Sequence, residues 1–156
     1  KGRKFCFTKI CSFLKTPYSR SLWIDIDCKF LGAIDDVFKT CNHPNGVGLT
    51  LDKEEVISLW KKGNLLKKEA KGYQAGCVLF KRGSPLIEKW ALGCLEKHKV
   101  EFADQTLLNS IIERDNMDIP LIPEKYHWLN PYHVPKGTKI IHYIGRHGKS
   151  LIFKEI

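Results

Sequence analysis

Asp25 and Asp27 are two carboxylates separated by a single residue, and they stand at the end of a short apolar segment. Residues 21–27 are rich in β-formers such as Trp23 and predict a buried strand. Side chains two residues apart on a strand point to the same face, about 6.5 to 7 Å from one another. We therefore expect both carboxylates to face one cleft and to share a divalent cation. The spacing alone is equally compatible with a strand-end cap and one salt-bridged aspartate.

The elements that must position this pair alternate along the chain. Further strands are predicted at residues 47–51, 75–80 and 139–144, and helices at residues 4–14, 33–41, 54–61, 84–97 and from Asp104 onward. The clearest helix has Ser84 as its N-cap and Pro85 at its first helical position. The helix from Asp104 is expected to bury Leu107, Leu108, Ile111 and Ile112 and to expose Asn109, Ser110 and Glu113. This alternation predicts an α/β fold with a largely parallel or mixed sheet flanked by helices, in which ligands bind at the carboxyl ends of strands.

Length and composition indicate a single globular domain. The chain has 156 residues, of which 43% are hydrophobic and 28% charged, so it favours one packed core and excludes a disordered or collagen-like chain. No apolar run approaches the roughly 20 residues that span a bilayer. No leader-like segment opens the sequence, so we expect neither membrane insertion nor secretion.

The formal net charge of +9 favours anionic partners, such as nucleic acid, acidic lipid or phosphorylated small molecules. The sequence has no arginine-rich arm, zinc-finger spacing or RNP-like strand, so nucleic acid is the minor alternative. The lysines of residues 61–71 are interpreted as the solvated face of a helix. Peripheral association with a membrane stays open.

The six cysteines do not form a disulfide or metal-binding pattern, because none belongs to a C-x-x-C pair. Cys28, Cys77 and Cys94 fall within apolar strand or helix patterns, which favours reduced and mostly buried thiols. A reducing compartment follows from this interpretation, and we expect the protein to be cytoplasmic.

Four motifs in order resemble those of GT-A nucleotide-sugar glycosyltransferases. Residues 21–38, SLWIDIDCKFLGAIDDVF, resemble their apolar strand, D-x-D and short acidic helix, and residues 73–80, YQAGCVLF, resemble their F-N-S-G-V-x-L-F strand. Asp104-Gln105 with Leu108-Asn109 resembles a D-Q-x-x-L-N helix start. Residues 141–145, IHYIG, resemble the closing x-H-x-x-G strand. The sequence is most similar to glycosyltransferase family 8, the glycogenin and lipopolysaccharide-galactosyltransferase type.

The resemblance implies a Rossmann-like GT-A domain over residues 1–156. The family's amino-terminal strand-helix-strand portion, which binds uracil and ribose, has no counterpart here. Either the chain is the C-terminal part of a longer domain, or base recognition is built differently. The implied activity is metal-dependent transfer of a sugar from a nucleotide-diphosphate donor, UDP-linked in the nearest family, to a hydroxyl acceptor. Its stereochemistry stays open.

The resemblance also implies roles for single residues. Asp25, Asp27 and His142 would hold Mn²⁺ or Mg²⁺, and Gly145 and Lys149 would join Asp25 in binding the donor's diphosphate. The residues beside the transferred sugar would be Asp104, Gln105 and Gln74. Trp128, in a proline-rich segment, is a candidate platform for an acceptor sugar.

The sequence departs from the family pattern at two of these positions. Lys149 lies seven residues after His142 rather than six, with Ser150 in place of the family's Pro-Trp. Gln74 stands where the family usually has an asparagine. Gly76 is interpreted as close packing beneath the site.

Two other functions remain as alternatives. One is a non-catalytic sugar- or nucleotide-binding module derived from a transferase. The other is a phosphohydrolase of the haloacid-dehalogenase type, which also starts from a D-x-D at a strand end. That chemistry needs Thr or Val four residues after the first aspartate, where this chain has Lys29.

Overall fold

A computed structural model describes residues 4–40, 43–97 and 103–155. Its elements are α1 (Lys4–Phe13), β1 (Arg20–Ile24), β2 (Cys28–Phe30), a 3₁₀ helix (Asp35–Thr40), β3 (Val47–Leu51), α2 (Glu54–Lys62), β4 (Tyr73–Lys81), α3 (Pro85–Lys97), α4 (Asp104–Arg114), a second 3₁₀ helix (Glu124–Tyr126), β5 (Ile140–His142) and α5 (Gly145–Glu155). The architecture is mixed α/β with sheets flanked by helices, which confirms the predicted class. The end of the predicted helix 33–41 lies outside the described residues.

β4 is the central strand of the main sheet. It pairs antiparallel with β1 on one side and with β3 on the other, in the order β1-β4-β3. A second, two-stranded ribbon is formed by β2 and β5, also antiparallel. Parallel pairing enters through two isolated bridges, Leu49 with Leu121 and Trp128 with Ile141. The sheet system is therefore mixed, with antiparallel pairing along the named strands.

Both faces of β4 are covered by other parts of the protein. Eight of its nine residues are buried. Toward one face, Phe13 of α1 stacks on Phe80 at a ring-centroid distance of 4.8 Å and meets the edge of Trp90 of α3 at 6.0 Å. The other face packs against a smaller cluster that includes Val37 and Tyr126. Burial of large apolar side chains at about 25 cal/mol per Å² makes this double-sided packing the main stabilising contribution.

Three local features differ from the sequence prediction. β1 ends at Ile24 rather than at Asp27, and the short strand β2 and the terminal helix α5 were not predicted. β2 has three residues and owes its extended form to pairing with β5, a contact that no local pattern encodes. A three-residue strand is below the length at which alternation can be recognised.

The predicted exposure of Asn109 is wrong, because its side chain is 2% exposed. Its Oδ1 accepts a hydrogen bond from the Tyr73 N–H at 2.7 Å, and its Nδ2 donates to the Tyr73 carbonyl at 2.9 Å. Asn109 therefore satisfies the backbone at the start of β4 and fastens α4 to the sheet. The four apolar residues predicted to face inward from α4 are buried.

Cys77 and Cys94 are buried and Cys28 is half-buried, all three as free thiols. Burial raises the pKa of the Cys77 and Cys94 thiols, in each case to about 12. Cys41 lies outside the described residues. Within the described ranges, every helix is too short or too polar to cross a lipid bilayer.

Candidate functional site

Asp25, Asp27 and His142 converge just beyond the end of β1. The Asp25 N–H donates to the Gly76 carbonyl at 3.0 Å, which continues the β1–β4 pairing by one residue. Asp27 lies in the turn that leads into β2, and the β2–β5 pairing sets His142 directly opposite Cys28. One ligand atom from each of the three side chains lies within 4.8 Å of the other two. The two carboxylates thus meet as predicted, although Asp27 reaches the site from a turn rather than from the strand.

His142 belongs to a chain of buried polar contacts. Its Nε2 lies 3.1 Å from Asp27 Oδ1, and its Nδ1 lies 2.8 Å from Nε2 of His127. His127 Nδ1 in turn lies 2.7 Å from Thr50 Oγ1. Burial lowers the pKa of His142 even though Asp27 and Asp25 oppose it, and burial followed by the neighbouring His142 lowers the pKa of His127 to about 3. Both imidazoles are therefore neutral at neutral pH, which is the form that binds a metal ion.

Gly76 forms the floor beneath His142. A Cβ at this position would lie 2.5 Å from Cε1 and 2.8 Å from Nδ1 of the imidazole, closer than non-bonded atoms approach. The same Cβ would lie 3.3 Å from Asp25 Oδ2. The glycine thus reserves the space that the imidazole fills. Two carboxylates and a neutral imidazole in this cradle are a donor set that fits Mn²⁺.

Lys9 of α1 lies between Asp25 and Asp104. Its ammonium is 3.2 Å from Asp25 Oδ1 and 3.1 Å from Asp104 Oδ2, and it donates to the Ala75 carbonyl at 3.1 Å. Burial alone would lower the pKa of Lys9, but the charges of Asp104 and Asp25 together raise it. The sequence analysis missed this residue. The available signal was its position four residues before the buried Phe13, which places a lysine on the inward face of the helix.

Asp104 is the first residue of α4 and is 6% exposed. Its Oδ2 is buried, and its partner is the Lys9 ammonium at 3.1 Å. Burial raises the pKa of this carboxyl and the charge of Lys9 opposes the rise. A carboxylate oxygen has more than one lone pair, so a bound hydroxyl could donate to Asp104 beside the Lys9 ammonium.

Gln105 and Gln74 lie side by side and share a third residue, Asp52. Gln105 Nε2 donates to Asp52 Oδ2 at 2.7 Å, and its Oε1 accepts from the Ala75 N–H at 3.1 Å. Gln74 Oε1 accepts from the Gly76 N–H at 3.0 Å, and its Nε2 is 3.5 Å from Asp52 Oδ2. Asp52 was not predicted. It follows the last residue of β3, so the argument applied to Asp25, an acid at the carboxyl end of a strand, was available for it too.

Lys149 and Gly145 come to the site from α5. Gly145 begins the helix with a φ of +71°, a conformation that side chains other than glycine rarely adopt. Lys149 lies one helical turn later, and its exposed ammonium is 3.2 Å from Asp27 Oδ2. Gly148 allows α5 to lie close to the backbone of Tyr143, because a Cβ at position 148 would lie 2.6 Å from the Tyr143 carbonyl carbon. The lysine therefore reaches the carboxylates even with one residue more than the family spacing.

A pocket of about 510 Å³ opens beside Asp52 and is called the Asp52 pocket. Its walls include Thr50, Asp52, His127 and Trp128. The Trp128 indole N–H donates to the backbone carbonyls of both Asn130 and His133 at 2.8 Å. The ring is thereby fixed at the wall of the pocket.

This fold is shared with solved glycosyltransferases. The bifunctional glycosyltransferase WbbM has a TM-score of 0.64 at 14% identity, over 92% of this chain and 32% of that one. The galactosyltransferase LgtC, solved with donor and acceptor sugar analogues, has a TM-score of 0.60 at 15% identity, over 89% of this chain and 58% of that one. The glycosyltransferase GlyE of Streptococcus pneumoniae TIGR4 has a TM-score of 0.64 at 17% identity, over 93% of this chain and 38% of that one.

The class that these structures define is the GT-A-like glycosyltransferase fold, and the chain has this fold over nearly all of its length. The chain spans less than two thirds of the length of each of the three proteins. No protein-family model matches the sequence, and no curated protein matches it. Membership of family 8 and the roles of the individual site residues stay predictions.

Proposed function

We propose that this chain transfers a sugar from a nucleotide-diphosphate sugar, UDP-linked, to a hydroxyl acceptor, with Mn²⁺ or Mg²⁺ held by Asp25, Asp27 and His142. One observation carries the proposal: the three ligands converge within 4.8 Å over a glycine floor. The fold shared with glycosyltransferases, among them one solved with donor and acceptor sugar analogues, supports the same conclusion. A cation bound there would neutralise the negative charge that develops on the departing diphosphate.

The basic residues around the carboxylates would bind the donor's diphosphate. Lys149 is exposed at its tip and already lies against Asp27, so a small rotation of its side chain brings the ammonium to a phosphate oxygen. Gly145, at the start of α5, leaves the backbone free of a side chain where the diphosphate would approach. These groups stabilise charge on the leaving group without taking part in proton transfer.

Asp104 and Gln105 would contact the transferred sugar. Asp104 Oδ2, which is paired with the Lys9 ammonium, has a further lone pair that can accept a hydrogen bond from a sugar hydroxyl. The charge of Lys9 opposes the rise that burial causes in the pKa of this carboxyl. Gln74 acts as a positioning residue, because its side-chain carbonyl is occupied by the Gly76 N–H and so holds the floor beneath His142.

The second candidate is a nucleotide- or sugar-binding module without turnover. The same fold and the same three ligands would serve such a module, because binding a nucleotide requires no turnover. The phosphohydrolase alternative has no comparable support, since the structures named above are glycosyltransferases.

Metal-dependent binding of UDP tests the proposal. A ligand at 100 times its Kd stabilises a protein by about 2.7 kcal/mol, so UDP with Mn²⁺ should raise the melting temperature of the wild-type protein and UDP alone should not. Asp27→Asn should remove this shift, whereas Asp118→Asn, at a side chain that is 82% exposed, should keep it. An equal shift in both variants would reject the metal site. Release of UDP from a UDP-sugar then separates an enzyme from a binding module.

A further inference from the structure

The side of His142 that faces away from Asp27 meets a second set of metal-ligand atoms. Its Nδ1 lies 2.8 Å from Nε2 of His127, and one ligand atom each from Cys28, His127 and His142 all lie within 4.8 Å of one another. Cys28 and His142 are directly opposed in the β2–β5 register, so the pairing itself holds thiol and imidazole on neighbouring strands. His142 is the one residue common to this group and to the Asp25–Asp27 group.

One thiolate and two imidazoles are ligands typical of Zn²⁺ and other thiophilic cations. With Zn–N distances of about 2.0 Å and tetrahedral angles, two ligating nitrogens stand about 3.3 Å apart. His127 Nε2 and His142 Nδ1 are 2.8 Å apart in the absence of a metal. The two nitrogens would therefore have to move apart by about half an ångström for a cation to take the place of the proton they share.

The outer nitrogens of both rings already have oxygen partners. His127 Nδ1 lies 2.7 Å from Thr50 Oγ1, and His142 Nε2 lies 3.1 Å from Asp27 Oδ1. When the inner nitrogens bind a metal, each ring keeps one proton and donates it outward to these oxygens. Metal-binding histidines characteristically donate their second N–H in this way, which fixes the ring and strengthens the ligand.

The cation has two routes of access. Cys28 is half-buried and borders a groove of about 500 Å³ whose walls include Leu22, Ile24 and Phe30. His127 borders the Asp52 pocket on the other side. Burial and the nearby Asp27 raise the pKa of the Cys28 thiol, so metal binding must release the thiol proton to solvent.

We propose that Cys28, His127 and His142 form a second metal site, selective for a thiophilic divalent cation such as Zn²⁺, and that its occupation inhibits the protein. The two sites compete because a neutral His142 has only one unprotonated ring nitrogen, and only that nitrogen can bind a metal ion. When Nδ1 binds Zn²⁺, the ring carries its proton on Nε2, which faces Asp27. Nε2 then has no lone pair with which to bind Mn²⁺. The inhibitory consequence rests on the proposed function, whereas the existence of the thiophilic site does not.

Cobalt spectroscopy tests the site without any assay of activity. Co²⁺ added to the reduced protein should give a thiolate-to-cobalt charge-transfer band in the near ultraviolet, and Zn²⁺ should abolish the band by displacement. Cys28→Ser should lose the band and bind Zn²⁺ about 100-fold more weakly. Cys77→Ala, at a buried thiol near enough to Cys28 to raise its pKa, is the control and should keep the band. No band in the wild type, or an unchanged band in Cys28→Ser, would overturn the site.

Competition between the cations tests the inhibitory step. Zn²⁺ should weaken Mn²⁺-dependent UDP binding about tenfold or more in the wild type and much less in Cys28→Ser, measured by calorimetry. Equal sensitivity of the two proteins to Zn²⁺ would overturn the inhibition. If UDP shows no dependence on Mn²⁺ in either protein, the proposed function fails, and the cobalt band still decides the thiophilic site.

Discussion

Replacing Gly76 with alanine would push one methyl group into the imidazole that completes the candidate metal site. The added Cβ would lie 2.5 Å from His142 Cε1, about 1 Å inside ordinary contact distance. Overpacking of this kind costs about 1 to 3 kcal/mol. If the ring relieves the contact by moving about 1 Å, it leaves the range of about 0.2 Å within which metal–ligand distances are tolerated. We expect Gly76→Ala to lose Mn²⁺-dependent UDP binding while it remains folded.

Gly48→Ala is the matched control for this variant. Gly48 is buried in β3, and a Cβ there would meet Ile122 Cγ1 at 3.3 Å, with no His142 atom among its three nearest neighbours. Both variants should unfold at lower denaturant concentration than the wild type, but Gly48→Ala should keep the thermal shift with UDP and Mn²⁺. Retention of that shift in Gly76→Ala, at unchanged Mn²⁺ affinity, would refute the role of the glycine floor and with it the placement of His142 as a ligand.

Three further perturbations give signed outcomes. Because His127 titrates at a pKa of about 3 in the folded protein and at about 6.5 when unfolded, its contribution to stability is complete above pH 6.5 and is lost as the pH falls toward 3. The unfolding free energy should fall by up to about 1.4 kcal/mol per pH unit in this window, and by less in His127→Gln, as denaturation at a series of pH values will show. Lys9→Met should raise the pKa of Asp104 further, because the opposing charge is removed; a lower or equal value by carboxyl NMR would contradict this. Trp90→Ala should lower the unfolding free energy by about 3 to 5 kcal/mol, since Trp90 is fully buried, and an unchanged denaturation midpoint would contradict its place in the core.

The parts of the fold that the sequence predicts are those with a local physical signature. β4 is recognisable from its long apolar run, and α3 from the spacing of its apolar residues and the Ser84-Pro85 pair at its start. β2 is different, because its three residues become a strand only by pairing with β5. The strand argument for Asp25 and Asp27 reached the right cleft, but the direction of Asp27 is set by the turn before β2, which depends on the same long-range pairing.

The missed site residues share one cause. Lys9 and Asp52 have only weak local signals, an inward helix position and a strand end, and neither signal identifies the partners far along the chain that bring them into the site. Lys9 acquires Asp104, and Asp52 acquires Gln105. The positions predicted from family motifs, by contrast, could be placed without knowing these partners.

The separation of Asp27 and His142 by 115 residues also bears on when the site forms. During synthesis the two aspartates leave the ribosome well before the histidine, and until β5 pairs with β2 they offer only a pair of flexible carboxylates. In the proposed site, a cation that needs all three ligands would bind the folded chain and not the unfolded one, and would stabilise the fold by its own binding free energy. If the proposed site binds a metal, loading would follow folding, and the ion would link the turn between β1 and β2 to β5.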